Sequence, residues 1–138
     1  MSDLRSVVYV SSATMPLTAE ALEALLVEAR DLNLQSNTTG VLLCCDGTFM
    51  QCFEGSPEAV DATYERIRKS RRHTALIELM DEPVRLRSFA DWQMGFLRAT
   101  TSEILTLSTA RWRSTSRRSG PCVSPGLELL QQFWKQAR

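Results

Sequence analysis

The segment Thr39–Gly55 constrains the fold of this chain more than any other part of its sequence. It reads TGVLLCCDGTFMQCFEG, in which an Asp-Gly pair separates two apolar runs. A short apolar run between turn residues is typical of a buried β-strand. Asp46-Gly47 predicts a tight hairpin, because glycine tolerates the positive φ angle that a two-residue turn requires. We therefore expect two antiparallel strands joined by this turn.

Gln51 is the polar residue that interrupts the second run. It has the same parity as Phe49 and Phe53, so it should point to the same side of the sheet. Burial of an amide without hydrogen-bond partners costs on the order of a few kcal/mol. Two interpretations remain open from this pattern alone: neighbouring backbone satisfies Gln51, or Gln51 faces a bound polar ligand.

Composition and charge narrow the class of protein. The 138 residues, of which 43% are hydrophobic, predict one globular domain with a modest tail. The 16 basic and 16 acidic residues balance, so charge favours neither nucleic acid nor an anionic membrane, and no apolar segment is long enough to span a bilayer. The N-terminus lacks the pattern of a signal peptide, which predicts a cytoplasmic protein. Free thiols are expected at the four cysteines: Cys44, Cys45, Cys52 and Cys122.

The segments before the hairpin predict a strand and then a helix. Ser6–Ser12 is β-branched and aromatic, and it places Tyr9 on one face of a strand. Pro16 and Thr18 predict a helix start, with Thr18 as the N-cap. The apolar stripe of this helix ends at Asn33, for which a simple helix C-cap is the alternative to a ligand contact.

The segments after the hairpin continue the alternation. Ser56-Pro57-Glu58 predicts a second helix start, and Arg66 borders the apolar face of that helix. Strands are expected over Ala75–Met80 and Asp91–Leu97, with Trp92, Met94 and Phe96 on one face of the last strand. Beyond them we expect a helix near Ile104–Ala110, the polar connector RWRSTSRRSGP, and a final helix from Ser124 with a stripe of Leu127, Leu130 and Trp134.

This order predicts an α+β fold with a ferredoxin-like mixed β-sheet (βαββαββ), two helices on one face and a C-terminal helical cap on the other. Split βαβ connections place the first and third strands side by side at the centre. Tyr9 and Gln51 would then be neighbours beneath the two helices that carry Asn33 and Arg66. A mostly apolar slot with a few converging polar groups suits a planar heteroaromatic ligand.

Residues from Leu4 to Arg98 resemble the BLUF family, the blue-light sensors that use FAD. Each matching piece is weak alone, but their order and spacing together are specific. The pieces are Tyr9-Val-Ser-Ser, Asn33, Thr39-Gly40-Val-Leu-Leu, Gly47-x-Phe49-x-Gln51-x-Phe53-Glu54-Gly55, Arg72-His73 and Phe89-x-x-Trp92-x-Met94-Gly95-Phe96.

The resemblance implies a role for each matching residue. Tyr9 would donate an electron and a proton to the photoexcited flavin, and Gln51 would hydrogen-bond both and then rearrange or tautomerise. Trp92 and Met94 would be the switch residues of the last strand. The remaining flavin contacts would come from the two helices and the Arg-His pair, namely Leu25, Asn33, Arg66, Ile67 and His73. FAD is the expected flavin, with FMN or riboflavin as alternatives.

The resemblance also implies a sensor without catalytic turnover. The segment after Arg98 is too short for a core of its own, so we expect a BLUF domain over 4–98 and a helical extension over 99–138 that packs on the open sheet face. With no output domain expected on this chain, the signal would pass to a separate partner or through self-association, with a homodimer or higher oligomer expected. The rivals are a small flavoprotein reductase, an acylphosphatase-like hydrolase and a ligand-free interaction module.

Overall fold

A computed structural model of the chain describes residues 3–14, 18–112 and 124–137. The described elements confirm the predicted βαββαββ order and the α+β, ferredoxin-like class. In chain order they are β1 (Leu4–Ala13), α1 (Ala19–Gln35), β2 (Thr39–Cys45), β3 (Thr48–Gly55), α2 (Pro57–Lys69), β4 (His73–Val84), β5 (Gly95–Arg98), α3 (Thr101–Ser108) and α4 (Pro125–Ala137).

β1 and β3 lie side by side in the middle of a five-stranded sheet of order β4-β1-β3-β2-β5. β5 runs parallel to β2, and the other neighbouring strands are antiparallel. Tyr9 on β1 is paired directly with Gln51 on β3. Because directly opposite residues project to the same face, these two polar side chains are neighbours, as the sequence predicts.

The turn between β2 and β3 has the geometry that its Asp-Gly sequence predicts. The φ angles of Asp46 and Gly47 are 41° and 86°, both positive. Positive φ at both central residues is the mark of a two-residue turn whose twist matches the flanking strands. Cys45 pairs with Thr48 immediately beside the turn, so the predicted hairpin is confirmed.

Both predicted helix starts are capped by hydroxyl side chains. The Thr18 Oγ1 accepts a hydrogen bond of 3.0 Å from the backbone N–H of Ala21, and the Ser56 Oγ accepts one of 3.2 Å from Ala59. Each bond satisfies a backbone donor that the first helical turn leaves without a partner. Local chemistry at these residues therefore sets where α1 and α2 begin.

Helices α1 and α2 cover the same side of the sheet, which we name the first face. α1 packs there through Leu22 and Leu26, and α2 packs there through Val60 and Tyr64. The strand side chains that form the first face are Val7, Tyr9, Leu42, Cys44, Phe49, Gln51 and Phe53.

The opposite side of the sheet, the second face, is covered by α3 and α4, as the predicted C-terminal cap requires. The strand side chains there are those of alternate parity, and the helices contribute Ile104, Leu107, Leu130 and Trp134. The indole of Trp134 lies directly over Gly95, where an added Cβ would stand 2.5 Å from the ring. The strand side chains that form the second face are Val8, Val41, Leu43, Met50 and Cys52.

Some sequence predictions fall outside the described residues. These are residues 113–121 of the connector, which begins at Arg111, the thiol of Cys122 and the proline at position 16. Cys44, Cys45 and Cys52 are free cysteines, in agreement with the prediction for these three. Within the described part of the chain, no helix combines the length and the apolar character needed to cross a membrane.

The predicted last strand is wrong in its extent and in its faces. β5 begins at Gly95, and the residues before it form turns and bends. Alternation applies only to extended backbone, so the side chains of Trp92 and Met94 do not share a face. Met94 packs with Phe96 on the first face, whereas Trp92 packs against the second-face cluster.

The interpretation of Asn33 as a helix C-cap is also wrong. α1 continues to Gln35, and the backbone N–H of Ser36 closes the helix on Leu32 O. Asn33 is 1% exposed and therefore lies on the buried side of the last helical turn. The Asn33 side chain therefore does not cap the helix and is available for another role.

Candidate flavin site

A cavity of about 510 Å³ opens between α1, α2 and the first face of the sheet. Its volume falls in the range of roughly 300–1,000 Å³ that is common for ligand pockets. The walls come mainly from apolar side chains of both helices and the sheet, and polar groups reach in from several directions. The apolar lining residues are Leu25, Ala29, Leu32, Leu42, Phe49, Ile67 and Met94.

Tyr9 and Gln51 form the polar floor of the cavity. The Tyr9 hydroxyl donates a hydrogen bond to the Gln51 Oε1, and the two side chains are only 3% and 8% exposed. Burial raises the pKa of the Tyr9 phenol well above its ordinary value, so the phenol keeps its proton at neutral pH. The floor therefore presents a protonated phenol joined to a neutral amide.

The nitrogen end of Gln51 points to Met94. The Gln51 Nε2 lies 3.7 Å from the Met94 Sδ, at the length of a weak hydrogen bond to sulfur. A thioether is a poor acceptor, and an amide can make more bonds than these two neighbours supply. Gln51 lines the cavity, so its remaining capacity is available to a ligand there.

Asn33 reaches the same region from α1. Its Nδ2 donates a hydrogen bond of 2.5 Å to the carbonyl oxygen of Gln93, while the side chain also lines the cavity. Three residues earlier, the Arg30 Nε donates to the carbonyl oxygen of Met94 at 2.9 Å. Residues three apart on a helix project to the same side, so both side chains clamp the backbone that carries Met94.

His73 stands at the edge of the floor. Its ring is nearly parallel to that of Tyr9, at 24° with centroids 5.9 Å apart, and its Nδ1 lies 3.0 Å from the Ser11 Oγ. Burial lowers the pKa of His73, which favours the neutral imidazole. The sole histidine of the chain thus restricts the position of the Tyr9 ring.

The mouth of the cavity is basic. Arg66, Lys69, Arg71 and Arg72 line it together with Glu28. Burial lowers the pKa of the Arg66 guanidinium, while the Arg72 guanidinium forms an ion pair of 2.8 Å with Glu28. Glu28 comes from α1, whereas the cations come from α2 and the residues after it, so only the tertiary structure places these groups around one opening.

Trp92 is the predicted site residue that the fold does not bring to Gln51. Its ring packs edge-to-face on Trp134, at 79° with centroids 5.3 Å apart, on the second face. Met94 holds the place next to Gln51 instead. The two residues therefore lie on opposite sides of one short backbone segment.

Sequence reasoning missed the role of Glu54, which is fully buried. Its carboxylate accepts hydrogen bonds from the backbone N–H groups of Ser88 and Phe89, both at 2.8 Å, and from Thr39 at 3.0 Å. Burial raises the pKa of Glu54, and these three bonds oppose that shift. A charged residue in an otherwise apolar run, directly before a glycine, was the available signal. Glu54 anchors the β4–β5 connection, residues 85–94.

The residues present fit a flavin. Apolar walls from α1 and α2 suit the faces of a planar ring, and the amides of Gln51 and Asn33 offer donors and acceptors for its polar edge. A basic mouth suits the phosphates at the far end of such a cofactor. In the described residues, no group of three or more His, Cys, Asp or Glu side chains could hold a metal ion.

Comparisons with known proteins indicate the family of this chain. A family described as BLUF, sensors of blue-light using FAD, matches residues 4–95. The photoactivated adenylate cyclase subunit beta of Euglena longa is 34% identical over 105 residues, which span 75% of this chain but only 12% of that protein.

Solved structures of light sensors are similar as well. The dark-state structure of BlrB, a BLUF protein, superimposes with a TM-score of 0.67 at 28% identity, covering 78% of this chain and 80% of that one. The photo-activated state of BlsA gives a TM-score of 0.67 at 30% identity, covering 75% and 74%. The family match, which spans most of the chain, places this protein in the BLUF family of blue-light photoreceptors that use a flavin.

Proposed function

We propose that this BLUF protein holds the ring of FAD in the cavity between α1, α2 and the sheet, and that Tyr9 and Gln51 carry out its light reaction. The observation that carries the proposal is the hydrogen bond from the Tyr9 hydroxyl to the Gln51 amide oxygen at the cavity floor. A bound flavin would supply the absorption of blue light and, once excited, a strong one-electron oxidant. The protein supplies the electron, the proton and the rearrangement.

Tyr9 is positioned to give up both the electron and the proton. After it loses an electron, its phenolic proton has a hydrogen bond along which to move to the Gln51 oxygen. Gln51 accepts at one end and donates at the other, so rotation or tautomerisation of its amide exchanges its partners. The bond to Met94 would change at the same time. Such a hydrogen-bonded network has two arrangements and can bias the segment attached to it.

The remaining cavity residues would position the ring. Leu25 from α1 and Ile67 from α2 are apolar lining residues suited to its two faces. Asn33 would bind the polar edge through its amide oxygen or its second N–H, because the bond to Gln93 uses only one of its two N–H groups. His73 would hold Tyr9 in place through the parallel contact of their rings.

FAD is favoured over smaller flavins by the mouth of the cavity. Arg66, Lys69, Arg71 and Arg72 line this opening, and a diphosphate carries enough negative charge to engage several of them. Glu28 already pairs with Arg72, so a phosphate would have to share or displace that contact. FMN would use the same cations through a single phosphate, and riboflavin would use none of them.

The signal would leave the site through the β4–β5 connection. Met94 faces Gln51 and Trp92 faces α4, so a shift of one alters the packing of the other. We assign the sensor to residues 4–98 and the output extension to residues 99–138. The extension would act on a separate protein in the cytoplasm, or on a second copy of the chain in a homodimer.

Catalytic turnover is not part of the proposed role. The photoactivated adenylate cyclase of Euglena longa matches this chain over only 12% of its own length, so its cyclase activity does not transfer. The rivals are a flavoprotein reductase, an acylphosphatase-like hydrolase and a ligand-free module. The Tyr9–Gln51 pair at the cavity floor favours a sensor over each of them, because none requires a phenol and an amide in contact there.

A visible spectrum of the purified protein, in the dark and under blue light, tests the proposal. We expect bound flavin and a small reversible red shift, because a rearranged Gln51 adds a hydrogen bond to the ring. A colourless protein would favour the ligand-free module or the hydrolase. A lasting, fully reduced spectrum under light would favour the reductase. Extraction of the cofactor followed by chromatography would distinguish FAD from FMN and riboflavin.

A further inference from the structure

Tyr64 on α2 lies directly beside Tyr9 and has no role in the proposed light reaction. The two rings are nearly parallel, at 20°, with centroids 6.5 Å apart. Tyr64 is 4% exposed, so water does not separate the rings. The chain has only two tyrosines, and the fold places them in contact. Aromatic rings this close exchange electrons readily, because the tunnelling path is short and crosses no solvent.

The two phenols differ in their hydrogen-bond acceptors. The Tyr64 hydroxyl donates to the Glu78 Oε1 at 2.7 Å, whereas the Tyr9 hydroxyl donates to an amide oxygen. A carboxylate is a far stronger base than an amide. Burial, and then the bond to Glu78, raise the pKa of Tyr64 to about 12, so its proton is in place at neutral pH. A phenol becomes strongly acidic when oxidised, and only Tyr64 has a carboxylate ready for that proton.

Arg68 determines the form in which Tyr64 can be oxidised. Its guanidinium lies over the Tyr64 ring, 3.9 Å from the centroid, and 4.0 Å from the Glu78 carboxylate. A positive charge over the ring disfavours a second positive charge on it. Loss of the electron must therefore be coupled to loss of the proton, which leaves a neutral radical.

We propose that Tyr64 is a second redox-active tyrosine, which returns an electron to oxidised Tyr9 while its own phenolic proton passes to Glu78. The proposal rests on the proposed light reaction, in which the photoexcited flavin is the oxidant. In this step Tyr9, oxidised but still protonated, regains one electron and is restored. Tyr64 loses one electron and its O–H proton, and the Glu78 carboxylate becomes a carboxylic acid. Return of an electron to Tyr64 and of the proton from Glu78 reverses the step.

Electron transfer from Tyr64 to Tyr9 competes with the rearrangement of Gln51. Proton transfer from Tyr9 to Gln51 starts the rearrangement, whereas electron transfer from Tyr64 restores Tyr9 before that proton moves. Because Glu78 lies outside the Gln51 network, a radical on Tyr64 leaves that network in its dark arrangement. Tyr64 would thus limit the fraction of absorbed light that produces a signal.

The first test needs neither light nor flavin. Azide radicals generated by pulse radiolysis oxidise tryptophan in the purified protein. The tryptophan radical then takes an electron from the most easily oxidised tyrosine. We expect a tyrosyl radical in the wild-type protein and in Tyr9→Phe, and its loss in Tyr64→Phe, which keeps the ring but removes the hydroxyl. An equal tyrosyl yield in Tyr64→Phe, or none in the wild type, would overturn the proposal.

Glu78→Gln is the second variant, because Glu78 is 42% exposed and its replacement leaves both tyrosines in place. Tyrosyl formation should slow in this variant, since an amide is a poor acceptor for the proton. An unchanged rate would contradict the assigned role of Glu78. This outcome is independent of whether Tyr64→Phe folds.

The second test uses blue light on the yellow protein, with the trapped radical read by electron paramagnetic resonance. The long-lived tyrosyl signal should be lost in Tyr64→Phe, where only the short-lived radical on Tyr9 can form. It should also be lost in Tyr9→Phe, because the electron must pass through Tyr9. A signal that persists in Tyr64→Phe at the wild-type level and lifetime would refute the light-driven step. A colourless protein would refute the proposed function instead, while the radiolysis result on Tyr64 would still stand.

Discussion

Tyr9 and Gln51 show how a polar pair is maintained on an apolar sheet face. Each supplies the partner that makes burial of the other tolerable, and removal of one leaves a buried group unsatisfied at a cost of about 1–3 kcal/mol. The Tyr9 hydroxyl has a hydrogen-bond partner without any ligand, whereas the Gln51 amide can still form further hydrogen bonds. That asymmetry suits a residue that changes partners.

Tyr9→Phe and Gln51→Leu should each retain flavin but abolish the red shift. Both changes keep the approximate size of the side chain and remove only a hydroxyl or an amide, so the apolar walls proposed to bind the ring survive. Difference spectra with and without blue light, together with the ratio of flavin to protein, provide the measurement.

Asn33→Ala is the contrast for these variants. It removes the bond to Gln93 and the proposed edge contact to the ring, so it should lower flavin retention more than either of them. Loss of flavin from Tyr9→Phe would mean that Tyr9 binds the cofactor and does not only react.

The free energy of unfolding, measured at a series of pH values, should show the contribution of His73 to stability. Its folded pKa lies below the unfolded value of about 6.5. The unfolded chain therefore binds more protons, and the free energy of unfolding falls as the pH drops through the window below 6.5.

His73→Gln should remove this part of the pH dependence, measured by urea denaturation. The raised pKa of Glu54 acts in the opposite direction, since stability from that group falls as the pH rises above about 4.5. The difference between the variant and the wild type isolates His73, because Glu54 is common to both. Equal slopes in the two proteins would contradict the assignment.

At the scale of elements, α4 is held to the sheet by contacts with the β4–β5 connection. Trp134 packs edge-to-face on Phe89 and Trp92 and covers Gly95, while the Gln131 Nε2 donates to Ser88 O at 3.4 Å. Glu54 fixes the same connection from the first part of the chain. One short segment thus joins the cavity to the last helix.

Trp134→Ala should lower the free energy of unfolding by about 3–5 kcal/mol, because it empties a buried volume on the second face. That is a large share of the stability of a small domain, which is roughly 5–15 kcal/mol. Chemical denaturation in the dark measures it. Leu105→Ala on α3 is the matched control, since Leu105 is 61% exposed and should change stability by no more than about 0.5 kcal/mol. Similar losses in both variants would show that α4 packing is not specific.

At the scale of the whole molecule, the sheet separates a face that would bind the cofactor from a face that would report its state. α1 and α2 enclose the cavity, and α3 and α4 cover the opposite side. The β4–β5 connection contributes to both, through Met94 and Trp92. A change at Gln51 therefore has a short physical route to the second face.

Hydrogen exchange in dark and light should detect that route. We expect light to change the protection of α4 and of residues 88–98 more than that of the first turns of α1, because only the former contact the Trp92 side of the connection. Trp134→Phe should weaken the response of α4 without abolishing the red shift. Identical exchange of α3 and α4 in both states would mean that these helices only cover the sheet and that the signal leaves elsewhere.

Features that depend on neighbours in the chain could be predicted from the sequence. Asp46-Gly47 determines a turn because its φ angles are a local steric matter, and Thr18 and Ser56 determine helix starts because a cap acts within one turn. The alternation of apolar and polar residues and the order of the elements were then enough to place Tyr9 opposite Gln51. Few registers of strand pairing in a split βαβ unit bury the apolar face of the sheet.

Other features were decided only by the tertiary structure. Nothing local distinguishes the position of Met94 from that of Trp92, because residues 91–94 are not extended and their directions follow from bonds to Arg30 and Asn33. The gathering of cations at the cavity mouth and the contact of Tyr64 with Tyr9 also require two elements to pack. Short-range chemistry set the elements of this protein, and long-range packing chose which side chains face the flavin cavity.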